Sequence, residues 1–371
     1  MKLDSQNALY KVAINMIPGV GCSGIRKILA ENSSEEYFFE NIDEFVEKKI
    51  ISANVKNVIK NQKVLDMAKN QIELCLTKNI QATYFTDDNY PQKLAQCGDA
   101  PTMFFHLGNL NFDTNRTIGI VGTRSADSDA KNNIFSLVEE LKKDNINFII
   151  ISGLADGADT FAHQAALKSD VPTAAVLGHG LNMIYPAGNR KLASDIVHSG
   201  GMLLTEYYYG EPVSKTNFPR RNRIVAGLCN CLIVAQSKIK GGALITVDDS
   251  INYKREVFAF PGRVSDKLYA GCNYLISSGK AGLITSASDL ERLMGWQPGK
   301  KGTAFQTAMP LEPLTAEEKK IIGVLRQNGQ VFIDTLSVLT EIPVSKLSSL
   351  LLTMEFKDLI TSYPGKKFEA K

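Results

Sequence analysis

Residues that hold metals or form disulfides are scarce in this sequence. Its 371 residues include four histidines and six cysteines, the latter at positions 22, 75, 97, 229, 231 and 272. No Cys-x-x-Cys pair occurs, so the usual spacing of a zinc site is missing. Cysteines scattered in this way are typical of reduced, mostly buried side chains. We therefore expect no bound metal and no disulfide.

Membrane segments and common catalytic motifs are also absent. No run of about 20 apolar residues occurs, and the first residues, MKLDSQNALYK, lack the charged-then-apolar order of a signal peptide. We expect no membrane insertion and a cytoplasmic location. The phosphate-loop pattern Gly-x-x-x-x-Gly-Lys-Ser/Thr is missing, and Ser152 does not lie in Gly-x-Ser-x-Gly. The sequence thus indicates neither ATP binding nor serine hydrolysis.

The net charge of +3 is too small to identify a nucleic-acid-binding protein by composition. Residues 1–115, 116–296 and 297–371 carry net charges of −2, +3 and +2. Any polyanion must therefore bind at a focused patch. The obvious patch is NFPRRNR, in which three arginines follow the aromatic Phe218: Arg220, Arg221 and Arg223.

The stretch 118–163 shows the pattern of two strand-turn-helix units. An apolar run at 118–121 meets Gly122 and then Arg124, and apolar residues recur at helical spacing from 134 to 141. A second strand pattern ends at a turn formed by Ser152 and Gly153, before a helix that Asp159 is placed to cap. In a parallel sheet both turns lie on one edge, where helix N-termini favour anions. With Arg124, this edge predicts a phosphate site.

A plainer interpretation of these residues stays open. Gly122 and Gly153 can serve tight turns alone, while Arg124 can pair with a nearby carboxylate. The tyrosines at 207–209 can pack at the rim of a strand instead of stacking on bases. Phe218 can likewise be a hydrophobic plug that anchors its loop, and not an exposed stacking surface.

Strand patterns recur about every thirty residues, at 117–121, 146–151, 173–177, 202–205, 231–235 and 256–260. Helical patterns separate them, as right-handed parallel crossovers require. We therefore predict a doubly wound, mainly parallel, Rossmann-like α/β domain. In such a domain the turns after the strands carry the function.

The two flanks of this domain have other patterns. To about residue 80 the chain reads as helices, and MIPGVGCSGIRKIL resembles a helix-hairpin-helix, a motif that binds phosphates or serves packing. Residues 297–314 form a Pro/Gly-rich linker. Helical patterns at 316–327, about 335–339 and 344–354, followed by a hairpin, predict a winged helix. The predicted domains are therefore 1–80, 81–296 and 315–371.

Seven blocks of the central sequence point to a known family. They occur in the order GIVGTR, SGLADGAD, VLGHGLNMIYPAGN, TEYYYGEPVSKTNFPRRNRIVAGL, GGALIT, REVFAFPG and GCNYLISSGKAGLI. Together they resemble the DNA-processing protein A (DprA/Smf) family over roughly residues 80–295. The resemblance implies a non-enzymatic protein that binds and protects single-stranded DNA and loads the RecA recombinase during natural transformation. Such proteins generally act as dimers.

The resemblance also implies a set of site residues. Arg124 would hold a phosphate, Gly122 and Gly153 would let the DNA backbone approach, and Phe218 would stack a base. Arg220, Arg221 and Asn222 would line the pocket. The full predicted DNA-binding set, of which Arg190, Lys238, Lys240 and Gly242 are second-tier candidates, is Gly122, Thr123, Arg124, Ser152, Gly153, Arg190, Phe218, Arg220, Arg221, Asn222, Lys238, Lys240 and Gly242.

We therefore predict a single-stranded DNA-binding recombination mediator that forms a homodimer, has RecA as a partner and needs no catalytic residue and no cofactor. Two alternatives stay open. One is a Rossmann-type enzyme that acts on a nucleotide or nucleotide-derived molecule, with Asp156 and Asp159 as its acid–base candidates. The other is a double-stranded DNA-binding regulator that uses the winged helix and the N-terminal hairpin.

Overall fold

The computed structural model describes residues 1–3, 5–30, 34–61, 63–113, 116–296, 315–356, 359–363 and 365–370. The chain divides into two compact units, Met1–Pro298 and Gly299–Lys371. Within the described ranges, no single helix has the length and apolarity to cross a bilayer. Only the bent pair Ile333–Thr340 and Val344–Glu355 reaches that length and composition together.

Helices occupy the start of the first unit. They are α1 (Gln6–Asn15), α2 (Cys22–Leu29), α3 (Glu35–Glu40), α4 (Ile42–Glu47), α5 (Ala53–Asn61) and α6 (Val64–Thr77). Between α1 and α2, Gly19 has a φ of +80°, a left-handed conformation that glycine adopts without steric cost. Gly21 then precedes the first turn of α2, which buries Ile25 and Ile28. The Pro-Gly-x-Gly pattern thus forms the tight hairpin that it predicts.

A sheet of nine described strands forms the centre of this unit. The strands are β1 (Gln81–Tyr84), β2 (Met103–Leu107), β3 (Arg116–Val121), β4 (Phe148–Ser152), β5 (Thr173–Val176), β6 (Met202–Thr205), β7 (Cys231–Val234), β8 (Glu256–Ala259) and β9 (Gly282–Leu283). Their order is β1-β2-β6-β5-β4-β3-β7-β8-β9. Strands β3 to β9 pair in parallel, whereas β1 and β2 are antiparallel additions beside β6.

Helices cover the sheet and bury its strands. They are α7 (Gln92–Ala95), α8 (Ser128–Lys143), α9 (Ala158–Lys168), α10 (Arg190–His198), α11 (Asn217–Leu228), α12 (Ala243–Asn252), α13 (Ala270–Ser277) and α14 (Ala287–Met294). Every residue of β4, β5, β6 and β7 is buried. Continuous apolar strands of this kind are typical of parallel sheets with both faces covered. The predicted fold class is confirmed, and the short β9 adds a seventh parallel strand to the six that were predicted.

The strand order creates a crevice at the centre of the sheet. β3 lies between β4 and β7, so the chain leaves β3 toward one side and later returns to pair on its other side. Such a switch point opens a crevice at the carboxyl ends of the strands, where ligands bind in this class of fold. The turn after β3 is fixed there because Thr123 donates its N–H to the carbonyl oxygen of Gln236 at 2.8 Å.

The N-terminal helices and the antiparallel edge of the sheet share one apolar core. Ile14 and Phe38 of the helices belong to the same cluster as Tyr84 of β1 and Phe105 of β2. Partly buried residues after β6, such as Tyr208, pack against it. The predicted boundary at residue 80 therefore lies inside a common core.

The second unit is a small helical domain with a three-stranded sheet. Its elements are α15 (Ala316–Asn328), β10 (Val331–Phe332), α16 (Ile333–Thr340), α17 (Val344–Phe356), β11 (Ile360–Tyr363) and β12 (Lys367–Ala370), with the strand order β10-β12-β11. Ile321, Leu336 and Leu351 are buried in its core. The predicted winged helix is confirmed, and the sequence missed only the short β10. The predicted linker, 297–314, lies outside the described residues.

Candidate functional site

The crevice at the carboxyl ends of the central strands is a cavity of about 530 Å³. Its wall combines the turn after β3, the first turn of α11 and the loop between β7 and α12. The sequence analysis predicted a site at this edge of the sheet. The predicted residues that line the cavity are Gly122, Thr123, Arg124, Phe218, Arg221, Asn222, Lys238 and Gly242.

The remaining predicted residues lie elsewhere. Ser152 is fully buried, and its hydroxyl donates to a carbonyl oxygen of β3 at 2.6 Å, so it offers no group to a ligand. Gly153 lines a smaller recess next to the cavity. Arg190, Arg220 and Lys240 are exposed outside the described wall of the cavity.

Besides Arg221, three cationic side chains line the cavity and give it positive charge. Arg124 and Lys238 come from the turns after β3 and β7, and Lys215 comes from the turn before α11. Among the described residues, Arg124 takes part in no ion pair. The described residues therefore do not support the alternative in which Arg124 pairs with a neighbouring carboxylate. The cavity is suited to an anion.

Close packing explains two of the predicted glycines. A Cβ on Gly122 would lie 2.6 Å from the Cβ of Ala158, where α9 packs against the turn after β3. A Cβ on Gly153 would overlap the guanidinium group of Arg221. Contacts inside the protein thus require these glycines, and their role in the approach of the DNA backbone stays a prediction.

Arg221, which is predicted to line the pocket, lies at the floor of the cavity. Its side chain is only 4% exposed, and its Nη1 donates to the carbonyl oxygen of Val176 at the end of β5. Its Nε has no hydrogen-bond partner among the residues that the structure describes. Burial lowers the pKa of the guanidinium, Asp159 attracts the charge, and Arg124 repels it. A buried and incompletely compensated cation therefore forms part of the cavity floor.

The other two arginines of the basic run have different environments. Arg223 forms a largely buried ion pair with Glu206, which immediately follows β6. One oxygen of Glu206 and one terminal nitrogen of Arg223 have no hydrogen-bond partner, so this pair fixes α11 at the cost of two unsatisfied polar atoms. Arg220 alone is exposed. Arg220 is thus the exposed member of the three, whereas Arg221 borders the cavity from below.

Phe218 is half-buried at the start of α11 and is surrounded on several sides. The Arg124 guanidinium lies over its ring, 5.7 Å from the centroid. The ring of Tyr185 lies 5.5 Å away at an angle of 44°. A Cβ on Gly178 would lie 3.0 Å from Cδ1 of Phe218, so the ring also rests on the backbone after β5. Phe218 therefore lines the cavity and is also packed against the protein, and its stacking role stays a prediction.

The tyrosines that follow β6 are not among the residues of the described cavity wall. Tyr207 is buried, and its hydroxyl donates to the carbonyl oxygen of Asn217 at 3.3 Å. The ring of Tyr208 lies 5.7 Å from that of Phe105. These residues pack, which is the plainer of the two interpretations that the sequence left open.

Two titratable groups lie close to Arg221. The Asp159 carboxylate accepts the N–H of Ala155 at 3.3 Å, and burial raises its pKa although Arg221 opposes this. His163 is completely buried and shares a hydrogen bond of 2.8 Å between Nδ1 and the hydroxyl of Thr173. Burial, together with the charge of Arg221, lowers the pKa of His163 to about 3. Both side chains belong to the interior beneath the cavity.

Lowering the pH from 7 to 5 is expected to remove about 2 kcal/mol of unfolding free energy through His163 alone. Its pKa is about 3 in the folded protein and 6.5 without burial. The unfolded chain therefore takes up a proton over this range while the native state does not, so the stabilisation is complete above pH 6.5 and is lost toward pH 3. Urea unfolding of the wild type and His163→Gln at both pH values measures the difference, which should be smaller in the variant. The exposed His198→Gln control should keep the wild-type pH dependence, and the same behaviour in His163→Gln would contradict the assignment.

Lys215 and Tyr185 are among the cavity residues that the sequence did not predict. Lys215 lies three positions before Phe218, within a block that was noted only for its arginines. Tyr185 belongs to the loop after β5, where its role could not be separated from ordinary packing. The signal available for both was their position: each follows a strand of the parallel sheet and precedes a helix.

Comparison with known proteins assigns this chain to a family. A family model described as DNA recombination-mediator protein A matches residues 81–295, which include the whole cavity. The chain belongs to the DNA-processing protein A (DprA/Smf) family. A second family model, described as DprA winged helix domain, matches residues 305–366. The resemblance noted in the sequence is thereby confirmed.

Individual DprA/Smf relatives cover most of the chain. The DNA processing protein DprA of Streptococcus pneumoniae is 40% identical over 204 residues, which are 55% of this chain and 71% of the relative. Protein Smf of Synechocystis is 31% identical over 327 residues, 79% of this chain and 81% of the relative. The X-ray structure of the S. pneumoniae protein aligns with a TM-score of 0.60 at 34% identity, over 78% of this chain and 97% of that chain.

A second solved DprA structure concerns the binding of single-stranded DNA. The DNA processing protein A of Helicobacter pylori, whose structure concerns its single-stranded DNA binding mode, aligns with a TM-score of 0.52 at 26% identity. The alignment covers 58% of this chain and 96% of that chain. The two proteins therefore share the fold that carries the cavity.

Proposed function

We propose that this chain is a single-stranded DNA-binding recombination mediator and that the cavity at the end of β3 is its DNA site. The observation that carries the proposal is the guanidinium of Arg221, buried beneath an open cationic cavity. Burial and the charge of Arg124 both oppose its charge, and Asp159 compensates it only in part. A phosphate placed over the cavity floor supplies the missing negative charge, and it does so without reading base sequence.

The aromatic residues of the cavity favour a single strand over a duplex. Phe218 and Tyr185 line the same wall as Arg124 and Lys238. An aromatic ring can stack only on a base that is unpaired and unstacked, and such stacking accepts every base. The binding mode described for the H. pylori relative supports the same ligand class.

The winged helix gives less support to a duplex-binding regulator. Its α17 is the helix that such domains place in the major groove. Lys346, the one lysine in this helix, is engaged by Glu317 of α15 at 2.6 Å. Tighter binding to a duplex than to an oligo-dT strand of equal length would favour the regulator instead.

Family membership supports a proposal for the cellular role. We infer that the protein protects incoming single-stranded DNA in the cytoplasm and loads RecA on it during natural transformation. The test is RecA-dependent ATP hydrolysis on single-stranded DNA that is already coated with a single-strand-binding protein. Addition of this chain should shorten the lag before hydrolysis, and an unchanged lag at saturating chain would contradict RecA loading.

An enzyme acting on nucleotides is the competing function, because Asp159 lines the cavity and has a raised pKa. Its carboxylate is, however, occupied by the N–H of Ala155 and lies within the field of Arg221. We therefore assign it a structural role and propose that the chain has no catalytic residue and needs no cofactor. Product release from a panel of nucleotides, abolished by Asp159→Asn, would overturn this assignment.

Arg124→Ala is expected to flatten the salt dependence of binding to oligo-dT. Each phosphate that a cation neutralises contributes a slope of about 0.7 in log affinity against log salt for single strands. Because Arg124 is exposed in the cavity and has no ion pair among the described residues, the variant should lose about that much slope and bind every base composition more weakly. The exposed Arg263→Ala, outside the described cavity wall, is the matched control. Unchanged slope and affinity in Arg124→Ala would remove Arg124 from the site.

A two-fold dimer formed by the first unit is a further part of the proposal. Strand β9 ends the described sheet, and its Leu283 is about half exposed, as is Tyr274 of the preceding helix α13. An exposed edge strand with apolar side chains is a ready surface for a second copy. A shortened chain of residues 1–296 should therefore have twice its monomer mass by light scattering at micromolar concentration. A monomer would show that the winged helix is needed to hold the pair.

A further inference from the structure

Tyr185 presents an unusually large aromatic surface to the cavity. It is 46% exposed and lines both the main cavity and the adjoining recess that Gly153 borders. Its hydroxyl makes no hydrogen bond to any of the residues that the structure describes. The ring thus offers a free face and a free polar tip beside the cationic side chains, which is the chemistry that a nucleobase needs.

The backbone of Tyr185 is held in place from below. Its N–H donates to Nε2 of His179 at 3.2 Å, and Nδ1 of the same ring donates to the carbonyl oxygen of Gly180 at 3.0 Å. Burial lowers the pKa of His179, which keeps Nε2 an acceptor. The hydroxyl of Thr205 in turn donates to the carbonyl oxygen of His179 at 2.8 Å. The aromatic ring therefore stands on a loop fixed before any ligand binds, which reduces the entropy lost on binding.

Phe218 has less free surface for a base than Tyr185 has. The Arg124 guanidinium lies over the Phe218 ring, Gly178 lies against Cδ1, and Tyr185 lies beside it. A base stacked on Phe218 would have to displace Arg124, the residue proposed to hold the phosphate. Among the described contacts no cation lies over the Tyr185 ring, which is 46% exposed, so a base stacked on its open side leaves Arg124 in position for the neighbouring phosphate.

We propose that Tyr185 is the base-stacking residue of this site and that Phe218 acts mainly by supporting Tyr185 and Arg124. The ligand is a nucleobase of single-stranded DNA whose adjacent phosphate lies on Arg124. This inference rests on the proposed function, since it assigns a role within the same cavity. The family resemblance implies that Phe218 stacks the base. This inference assigns the base contact instead to Tyr185, in the loop before α10.

The test compares two ligands that differ only in their bases. One is an oligo-dT strand, and the other is a strand of equal length in which every nucleotide is an abasic phosphodiester. The wild type should bind oligo-dT more tightly by roughly 5- to 150-fold, the range that stacking on one aromatic residue provides. Tyr185→Leu should bind both strands with the weaker affinity, whereas Tyr185→Phe should keep most of the ratio. The salt slope should be the same in all three proteins, because the ring neutralises no phosphate.

The controls separate this inference from the proposed function. Tyr37→Leu, which removes a similarly exposed tyrosine of α3, should keep the wild-type ratio. A wild type that binds neither strand would overturn the proposed function itself. A wild type that discriminates, together with a Tyr185→Leu variant that keeps the ratio, would overturn only the role of Tyr185. Equal weakening of both ligands in Tyr185→Leu would show a purely structural residue and would also overturn it.

Discussion

Replacement of Arg221 by methionine is expected to lower the free energy of unfolding by about 3–5 kcal/mol. The side chain is buried, donates to the carbonyl oxygen of Val176 and faces Asp159. Methionine fills much of the volume but leaves the Asp159 carboxylate without its cation. Urea unfolding at pH 7 measures the loss. A change below about 1 kcal/mol would show that the buried charge contributes little to the fold.

The pH dependence of this variant has a defined sign. Burial already raises the pKa of Asp159, and removal of Arg221 raises it further. A group whose pKa is higher in the folded than in the unfolded state stabilises the fold at low pH and loses that contribution as the pH rises. The deficit of Arg221→Met should therefore be larger at pH 7 than at pH 5. The neighbouring Arg220→Met is the matched control: it should unfold like the wild type and bind oligo-dT more weakly.

Gly157→Ala is expected to destabilise the protein by about 3 kcal/mol or more and to weaken DNA binding. Gly157 precedes α9 with φ +76° and ψ −123°, a backbone conformation that residues with a Cβ rarely adopt. A Cβ there would also overlap the carbonyl oxygens of Thr123 and Arg124. The added Cβ should therefore displace the turn that carries Arg124. Thermal unfolding and oligo-dT titration should both be affected.

Two other glycines separate strain from steric overlap. Gly210 has a φ of +89° but open space around its Cα, so Gly210→Ala should cost only the backbone strain, about 1 kcal/mol. Gly188 has neither a left-handed backbone nor a close neighbour, so Gly188→Ala should be nearly neutral. Equal stability of the Gly157 and Gly210 variants would show that the turn after β3 accommodates a Cβ at position 157 without loss of stability.

The parallel sheet could be predicted from the sequence because its strands are buried on both faces. Residues such as Ile150 and Ile233 then form continuous apolar runs between turn residues, and such runs can be recognised directly in the sequence. The antiparallel addition of β1 and β2 could not be placed in this way. Its residues read as a strand-rich connection, but only tertiary packing decides that β2 pairs with β6.

The candidate site could be located from the sequence but not resolved into contacts. Consecutive residues of a helix point about 100° apart, so Arg220, Arg221 and Arg223 of α11 face solvent, the sheet and Glu206. A run of like charges gives no sign of which member is buried, because the acceptor of Arg221 is a backbone carbonyl of β5, far away in sequence. The packing at Gly153 could not be derived from the sequence for the same reason, since its neighbour is a side chain 68 residues later.

Hydrogen exchange of the first unit depends on one shared core. This core joins the N-terminal helices to the antiparallel edge of the sheet. Because Phe38, Tyr84 and Phe105 lie in one cluster, opening of the helices exposes the inner face of β1 and β2 at once. We expect the amides of α1, α6 and β2 to exchange with deuterium in one cooperative step, at a free energy close to that of β6. A chain cut at residue 80 would leave that face uncovered, so shortened forms of this protein are best ended at 296 and not begun at 81.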